Sequence, residues 1–209
     1  MAGMTLADIR NKAMVAAGVF SHDAMFQTVA MNDLVNQAVA MAEAEVRGPW
    51  RQVTTTVQVS AVQPDITLPA DWAETKGVFD GHFELTEVSI TDLYAYGPSN
   101  ISGAPEVWAQ DADRIRLAPP PSSTISLTLI YYRQPPVLVS DNDQTLMPAD
   151  LAMQTIVPKV AELIHLRQGE RVLADAKATE YLQGVARLRK RARGSTRPMR
   201  VRIRSGGWI

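Results

Sequence analysis

The sequence predicts an α+β fold: a four-helix bundle built from both chain ends, an inserted antiparallel β module, and an extended C-terminal tail. Three observations carry this. Apolar residues recur at three- and four-residue spacing before Gly48 and again between Met153 and Leu188. The period falls to two in the segments between Val53 and Tyr131, and none remains beyond Gly194. The expected divisions are residues 1–49 for the first half of the bundle, 50–140 for the β module, 141–193 for the second half, and 194–209 for a basic tail.

The first helix opens at Thr5-Leu6-Ala7-Asp8, which has capping-box spacing with Asp8 in the place of the usual Glu or Gln, and it runs to about Gly18. A second helix starts near Thr28, because Met31, Leu34, Ala38 and Met41 form one apolar stripe, and Gly48-Pro49 ends it. Val53, Thr55, Val57 and Val59 then alternate with polar residues as in a strand with one buried face. Turn signals at Pro64-Asp65 and Pro69-Ala70-Asp71 bracket the short run Ile66-Thr67-Leu68, and Gly97 to Pro105 has the composition of a loop. Val107-Trp108-Ala109 and Arg114 to Leu117 flank an Asp-rich turn as a hairpin, and Ile125, Leu127, Leu129 and Tyr131 give the longest strand signal. After the polar run Ser140 to Asp143, helical spacing returns with Met153, Ile156, Val160 and Leu163. Pro158 within it predicts a kink or a delayed start. Gly169 suits a left-handed helix end, and the last helix places Ala174, Ala178, Tyr181, Val185 and Leu188 on one stripe, antiparallel to its predecessor.

With 46% hydrophobic residues among 209, the chain can bury an ordinary core. It has no cysteine, which excludes disulfides and thiolate metal sites. No basic flank precedes an apolar run at the N-terminus and no apolar stretch is long enough to span a bilayer, so a soluble, unprocessed protein is expected. Charge is strongly segregated. Arg187 to Ile209 holds nine of the 21 basic side chains and none of the 22 acidic ones, a balance of +9 against −10 for the rest.

Extended, the sixteen residues from Gly194 to Ile209 would reach about 50 Å, well past a body whose radius of gyration is about 16 Å. Val201 and Ile203 alternate with Arg200, Arg202 and Arg204, the pattern of an added β-strand. Trp208 and Ile209 offer an apolar anchor beyond Gly206-Gly207. These apolar residues favour a partner-binding tail over a solvated end. Nonspecific nucleic acid is the competing target and predicts a steep salt dependence.

Signals for catalysis are weak. His22, His82 and His165 lack ligand spacing, and Asp80-Gly81 before His82 suits a hairpin turn. Asp111 and Asp113, and Asp141 and Asp143, have alternate spacing without the remaining ligands of a calcium loop, so turn or linker roles are expected. No phosphate loop, nucleophile elbow or zinc signature is present, and neither an enzyme nor a cofactor is expected.

Several motifs follow one another along the chain: Arg47-Gly48-Pro49-Trp50, Leu68-Pro69-Ala70-Asp71, Pro105-Glu106-Val107-Trp108, Arg114 to Pro119, Leu129 to Arg133, Leu146-Met147-Pro148 and the final helix pair with its basic tail. Their order resembles the head-to-tail adaptor proteins of short-tailed bacteriophages, including the type called tail tubular protein A. The resemblance implies a virion structural protein at the head–tail junction, made in the host cytoplasm and not associated with a membrane. Its subunits would form a ring, usually a dodecamer, between the portal and the tail nozzle, with genomic DNA leaving through the bore. It further implies ring contacts through the helical bundle, here the stripe Ala174, Ala178, Tyr181, Val185 and Leu188. The C-terminal extension would reach the portal, here through Arg197, Arg200, Val201, Arg202, Ile203, Arg204, Trp208 and Ile209. A neck or head-completion protein of a longer-tailed phage, or a nonspecific DNA-binding module using the tail, are the alternatives.

Overall fold

The computed structural model describes residues 2–19, 28–61, 65–95 and 102–195. Residues 97–101 of the expected loop and residues 196–209 of the expected tail lie outside them. The chain opens with β1 (Gly3–Thr5), α1 (Leu6–Ala17) and α2 (Thr28–Glu45), followed by a 3-10 turn at Pro49–Arg51. Then come β2 (Gln52–Val59), β3 (Asp65–Thr67), β4 (Trp72–Asp80), β5 (Phe83–Glu84), β6 (Thr86–Glu87), α3 (Ile90–Ala95), β7 (Val107–Asp111), β8 (Arg114–Ala118) and β9 (Ile125–Arg133). The chain closes with β10 (Gln144–Pro148), α4 (Ala149–Gln168) and α5 (Arg171–Ser195). This is a mixed α+β architecture with two compact units, Met1–Trp50 with Pro135–Ile209 and, between them in sequence, Arg51–Gln134.

In the helical unit α4 packs against α1, α2 and α5. The Thr5 hydroxyl caps α1 by accepting the Asp8 N–H at 3.1 Å, and Gly18 ends it at φ 67°. The first two N–H groups of α1 are satisfied from far along the chain: Leu6 donates to the Asp143 carbonyl at 2.9 Å and Ala7 to that of Asp141 at 3.2 Å. β1 pairs antiparallel with β10, and Met4 N–H donates to Thr145 Oγ1 at 3.1 Å.

Met31, Leu34 and Ala38 of the expected α2 stripe are buried, but Met41 is 40% exposed, because Val35, Val39 and Ala42 fill the core in its place. In α4 the expected Met153 faces out. Leu151, Ala152, Ile156, Val157, Val160, Ala161 and Ile164 are buried over more than one face, as befits a helix with three helical neighbours. Pro158 neither delays α4 nor ends it.

The segment before β10 belongs to this unit. Leu138 is buried in its core, held by the Asn36 side chain: Nδ2 donates to the Leu138 carbonyl at 3.0 Å and Oδ1 accepts the Leu138 N–H at 2.8 Å. Asn36→Ala strands both groups and should cost about 2 kcal/mol. It is expected to lower the urea midpoint without changing the denaturant slope.

Asp143 closes the turn that follows. Its Oδ2 accepts the N–H groups of Ser140 at 2.8 Å and Val139 at 2.7 Å, and its Oδ1 accepts the Ser140 hydroxyl at 2.9 Å. The Ser140 backbone bond foremost, then those of Val139 and the Ser140 hydroxyl, hold this carboxyl below the usual range. A folded-state pKa below the unfolded one stabilises above the unfolded value of about 3.9 and is lost as pH falls through the folded one. Asp143→Asn should therefore melt earlier than wild type at pH 7. The gap should close as melts are taken below about pH 4.

The second unit holds two four-stranded sheets in the orders β2-β9-β4-β5 and β3-β8-β7-β6. Pairing is antiparallel except between β6 and β7, which run parallel with Thr86 opposite Val107. β2 and β9 match over eight consecutive pairs from Gln52↔Tyr132 to Val59↔Ile125. Leu127, Leu129 and Tyr131 bury the alternate face, together with Val78, Trp108, Ile115 and Leu117. Trp108 Nε1 donates to the Leu85 carbonyl at 3.2 Å. Tyr131 donates its hydroxyl to Asp71 Oδ1 at 2.9 Å, and burial, then that carboxylate, raises its pKa. Gly81 turns the β4–β5 hairpin at φ 58°, as Asp80-Gly81 predicts.

Candidate functional site

The residues expected to carry contacts lie on α5 and beyond it. Of the expected stripe, Ala174, Tyr181, Val185 and Leu188 are buried and Ala178 is partly buried, with the last three of the buried residues in the subunit's own core. The stripe is the seam with α4. An apolar row at helical spacing marks what a helix buries, and here the nearest helix of the same chain covers it. What α5 leaves exposed is Val172, 82% open, and Leu182, 63% open, with Leu173 between these and burial at 49%. Leu166 at the end of α4 is 51% exposed, close in sequence to Val172 and Leu173 across the turn. Stripe counting misses these residues because they are isolated apolar positions on a polar face.

Two residues fix the seam. Pro158 has no N–H, so the Gln154 carbonyl one turn earlier loses its intrahelical donor. Gly184 of α5 comes so close to that oxygen that a Cβ there would lie 1.9 Å from it. Tyr181 packs nearby beneath Lys159, whose Nζ sits 5.0 Å from the ring centroid and 2.9 Å from Glu162 Oε1. Burial, with Glu45 and Glu162 adding to it, raises the Tyr181 phenol.

The basic end of α5 is partly consumed within the subunit. Arg187 Nη1 donates to Gln154 Oε1 at 3.2 Å, Arg189 pairs with Glu45 of α2, and Arg191 pairs with Asp150 in the first turn of α4. These pairs are solvated, so each contributes about 0–1 kcal/mol. They orient the helix end more than they stabilise it. The helix continues through Gly194 to Ser195, past the expected start of the tail. Arg197, Arg200, Val201, Arg202, Ile203, Arg204, Trp208 and Ile209 lie outside the described residues.

The acidic excess is also localised. Arg51–Gln134 carries ten acids against five bases, a balance of −5. The helical unit up to Ser195 carries twelve of each, and residues 196–209 add four arginines. The β unit, not the body as a whole, is therefore the anionic part.

His165 and the spaced aspartates have structural partners, while His22 lies outside the described residues. His165 is buried with Nδ1 2.8 Å from Glu170 Oε2, linking the end of α4 to the start of α5. Asp111 pairs with Arg116 at 2.8 Å and Asp113 with Arg114 at 3.8 Å, while Asp141 pairs with Arg10 at 3.1 Å. Among the described residues no group of three or more His, Asp or Glu is placed to hold a metal ion, and no helix is long and apolar enough to cross a membrane.

No curated protein matches the chain. The family model described as SU10 adaptor protein matches residues 4–203, spanning both units. With nearly the whole length covered, the chain belongs to the SU10 adaptor protein family, structural adaptor proteins of bacteriophage virions and not enzymes.

Proposed function

We propose that this adaptor forms a ring, of the dodecameric kind, between the portal and the tail nozzle, with the genome passing through its bore. Family membership over residues 4–203 carries the reading. The helices of both chain ends act as a four-helix bundle that supports ring contacts, through the outward residues Val172, Leu173 and Leu182 and not the stripe already spent on α4. Contacts between like subunits that repeat head to tail close into rings when the rotation allows it.

The tail, from Arg197 through Trp208 and Ile209, reaches the portal. Its apolar residues give it an anchor, and its arginines seek carboxylates. Nucleic-acid binding by the tail is the weaker reading, since Arg187, Arg189 and Arg191 of the basic run already bond within the subunit. Native mass measurement of the protein mixed with purified portal tests the proposal. A discrete complex with many adaptor copies per portal is expected; failure to bind portal, with binding to DNA that falls steeply with salt, would refute it.

A further inference from the structure

We propose that the outer edge of β2 receives residues 200–204 of a second copy of this chain as an added strand. β2 stands at the edge of its sheet, and among the described residues β9 is its one strand partner. Its eight residues, Gln-Val-Thr-Thr-Thr-Val-Gln-Val, include no charge, proline or glycine, and the pairing with β9 runs without a bulge. Exposed edges are ordinarily blunted by one of these devices, because a straight row of unpaired N–H and C=O groups recruits another strand. Here all are missing from the longest edge of the unit.

The faces of β2 say what kind of strand fits. Val53, Thr55 and Val57 are half-buried toward the core while Thr54, Thr56 and Gln58 are exposed. An added strand must alternate in the same sense, apolar toward the core and polar outward. Arg200-Val201-Arg202-Ile203-Arg204 does so: Val201 and Ile203 would extend the half-covered row, and the arginines would stand beside the threonines and Gln58. An open cleft of about 320 Å³ at the far end of β2, lined by Val57, Ser60, Asp65 and Ile66, adds a carboxylate and an apolar wall where that row ends.

Charge selects the same target. The unit holding β2 is the anionic one at −5, whereas the helical unit is balanced, so a segment with an arginine at every second position is drawn to the former. Strand donation from one copy to the next is a heterologous contact that repeats around a ring. It leaves Trp208 and Ile209 for the portal. The inference rests on the ring reading only for closure of the assembly.

The test uses the full chain and the variant V201P/I203P, which keeps every arginine but removes two donors from the strand. Sedimentation velocity and hydrogen exchange of residues 52–59 are followed over a hundredfold range of concentration. Wild type should associate as concentration rises, with exchange in 52–59 slowing at least tenfold, and the variant should do neither.

Three outcomes overturn the proposal: wild type that never associates, slowing independent of concentration, which means the segment docks on its own subunit, or association and slowing that persist in the variant, which means two β2 edges pair. Portal capture is scored separately. Wild type that binds portal without self-associating would defeat the strand exchange and leave the adaptor reading standing.

Discussion

Removing residues 196–209 is expected to weaken binding to the portal by a hundredfold or more while leaving the thermal midpoint where it was. A hundredfold corresponds to about 2.7 kcal/mol, which one buried aromatic anchor of the Trp208 type can account for at an interface. The net positive charge of the tail contributes chiefly to encounter rate, so raising salt should slow association more than it speeds dissociation. Stability should not follow, because the α5 residues Tyr181, Val185 and Leu188 that pack in the helical core and the pairs made by Arg187, Arg189 and Arg191 precede the cut. Surface plasmon resonance against immobilised portal and a thermal melt check the two halves. Unchanged affinity would remove the tail from the mechanism, and a large drop in melting temperature would make it part of the fold.

Gly184→Ala should destabilise the protein, contrary to what helix propensity alone says. In an exposed helix the exchange gains about 1 kcal/mol. At this position the added methyl would lie 1.9 Å from the Gln154 carbonyl oxygen, a backbone atom that cannot turn aside. The helices must separate or shift, and overpacking of this kind costs about 1–3 kcal/mol or more. We expect a net loss of about 2 kcal/mol, seen as a midpoint about 4–8 °C lower. An unchanged or higher midpoint would show that α4 and α5 approach less closely than described.

That seam shows where the sequence stops speaking. Pro158 is visible in it as an interruption and reads as a local defect, while nothing in the stripe of α5 singles out Gly184. Only the packed helices reveal that the carbonyl freed by one faces the missing side chain of the other. The stripes misled for a related reason. Met41 and Met153 fall in phase with buried neighbours but point outward, because α2 and α4 bury broad faces whose centres a single row of positions does not locate. The row on α5 was found correctly as a buried face, but sequence cannot say whether the same chain or another copy buries it.

Local chemistry was legible where it was self-contained. Thr5 at the start of α1, Gly18 and Gly169 at helix ends, Asp80-Gly81 in its hairpin and the alternation of β2 and β9 each follow from adjacent residues. What was missed depends on distance along the chain or on irregularity. β1 is three residues long and exists because β10 lies beside it, with Met4 and Thr145 bonded across a separation of 141. β4 loses its period of two to register shifts between Trp72 and Glu74 and between Thr75 and Gly77. α3, with six residues, is too short to show a stripe. Asp143 closes a turn, as expected of a turn or linker acid, but that the carbonyls of Asp141 and Asp143 cap α1 is hidden by their distance along the chain.

The central claim is that a cationic C-terminal segment ties this two-unit subunit to a different chain at the head–tail junction. A photo-crosslinking amino acid in place of Trp208, introduced into infectious particles and mapped by mass spectrometry, tests it most directly. Crosslinks from that position to the portal are expected; crosslinks confined to the same polypeptide would contradict the account.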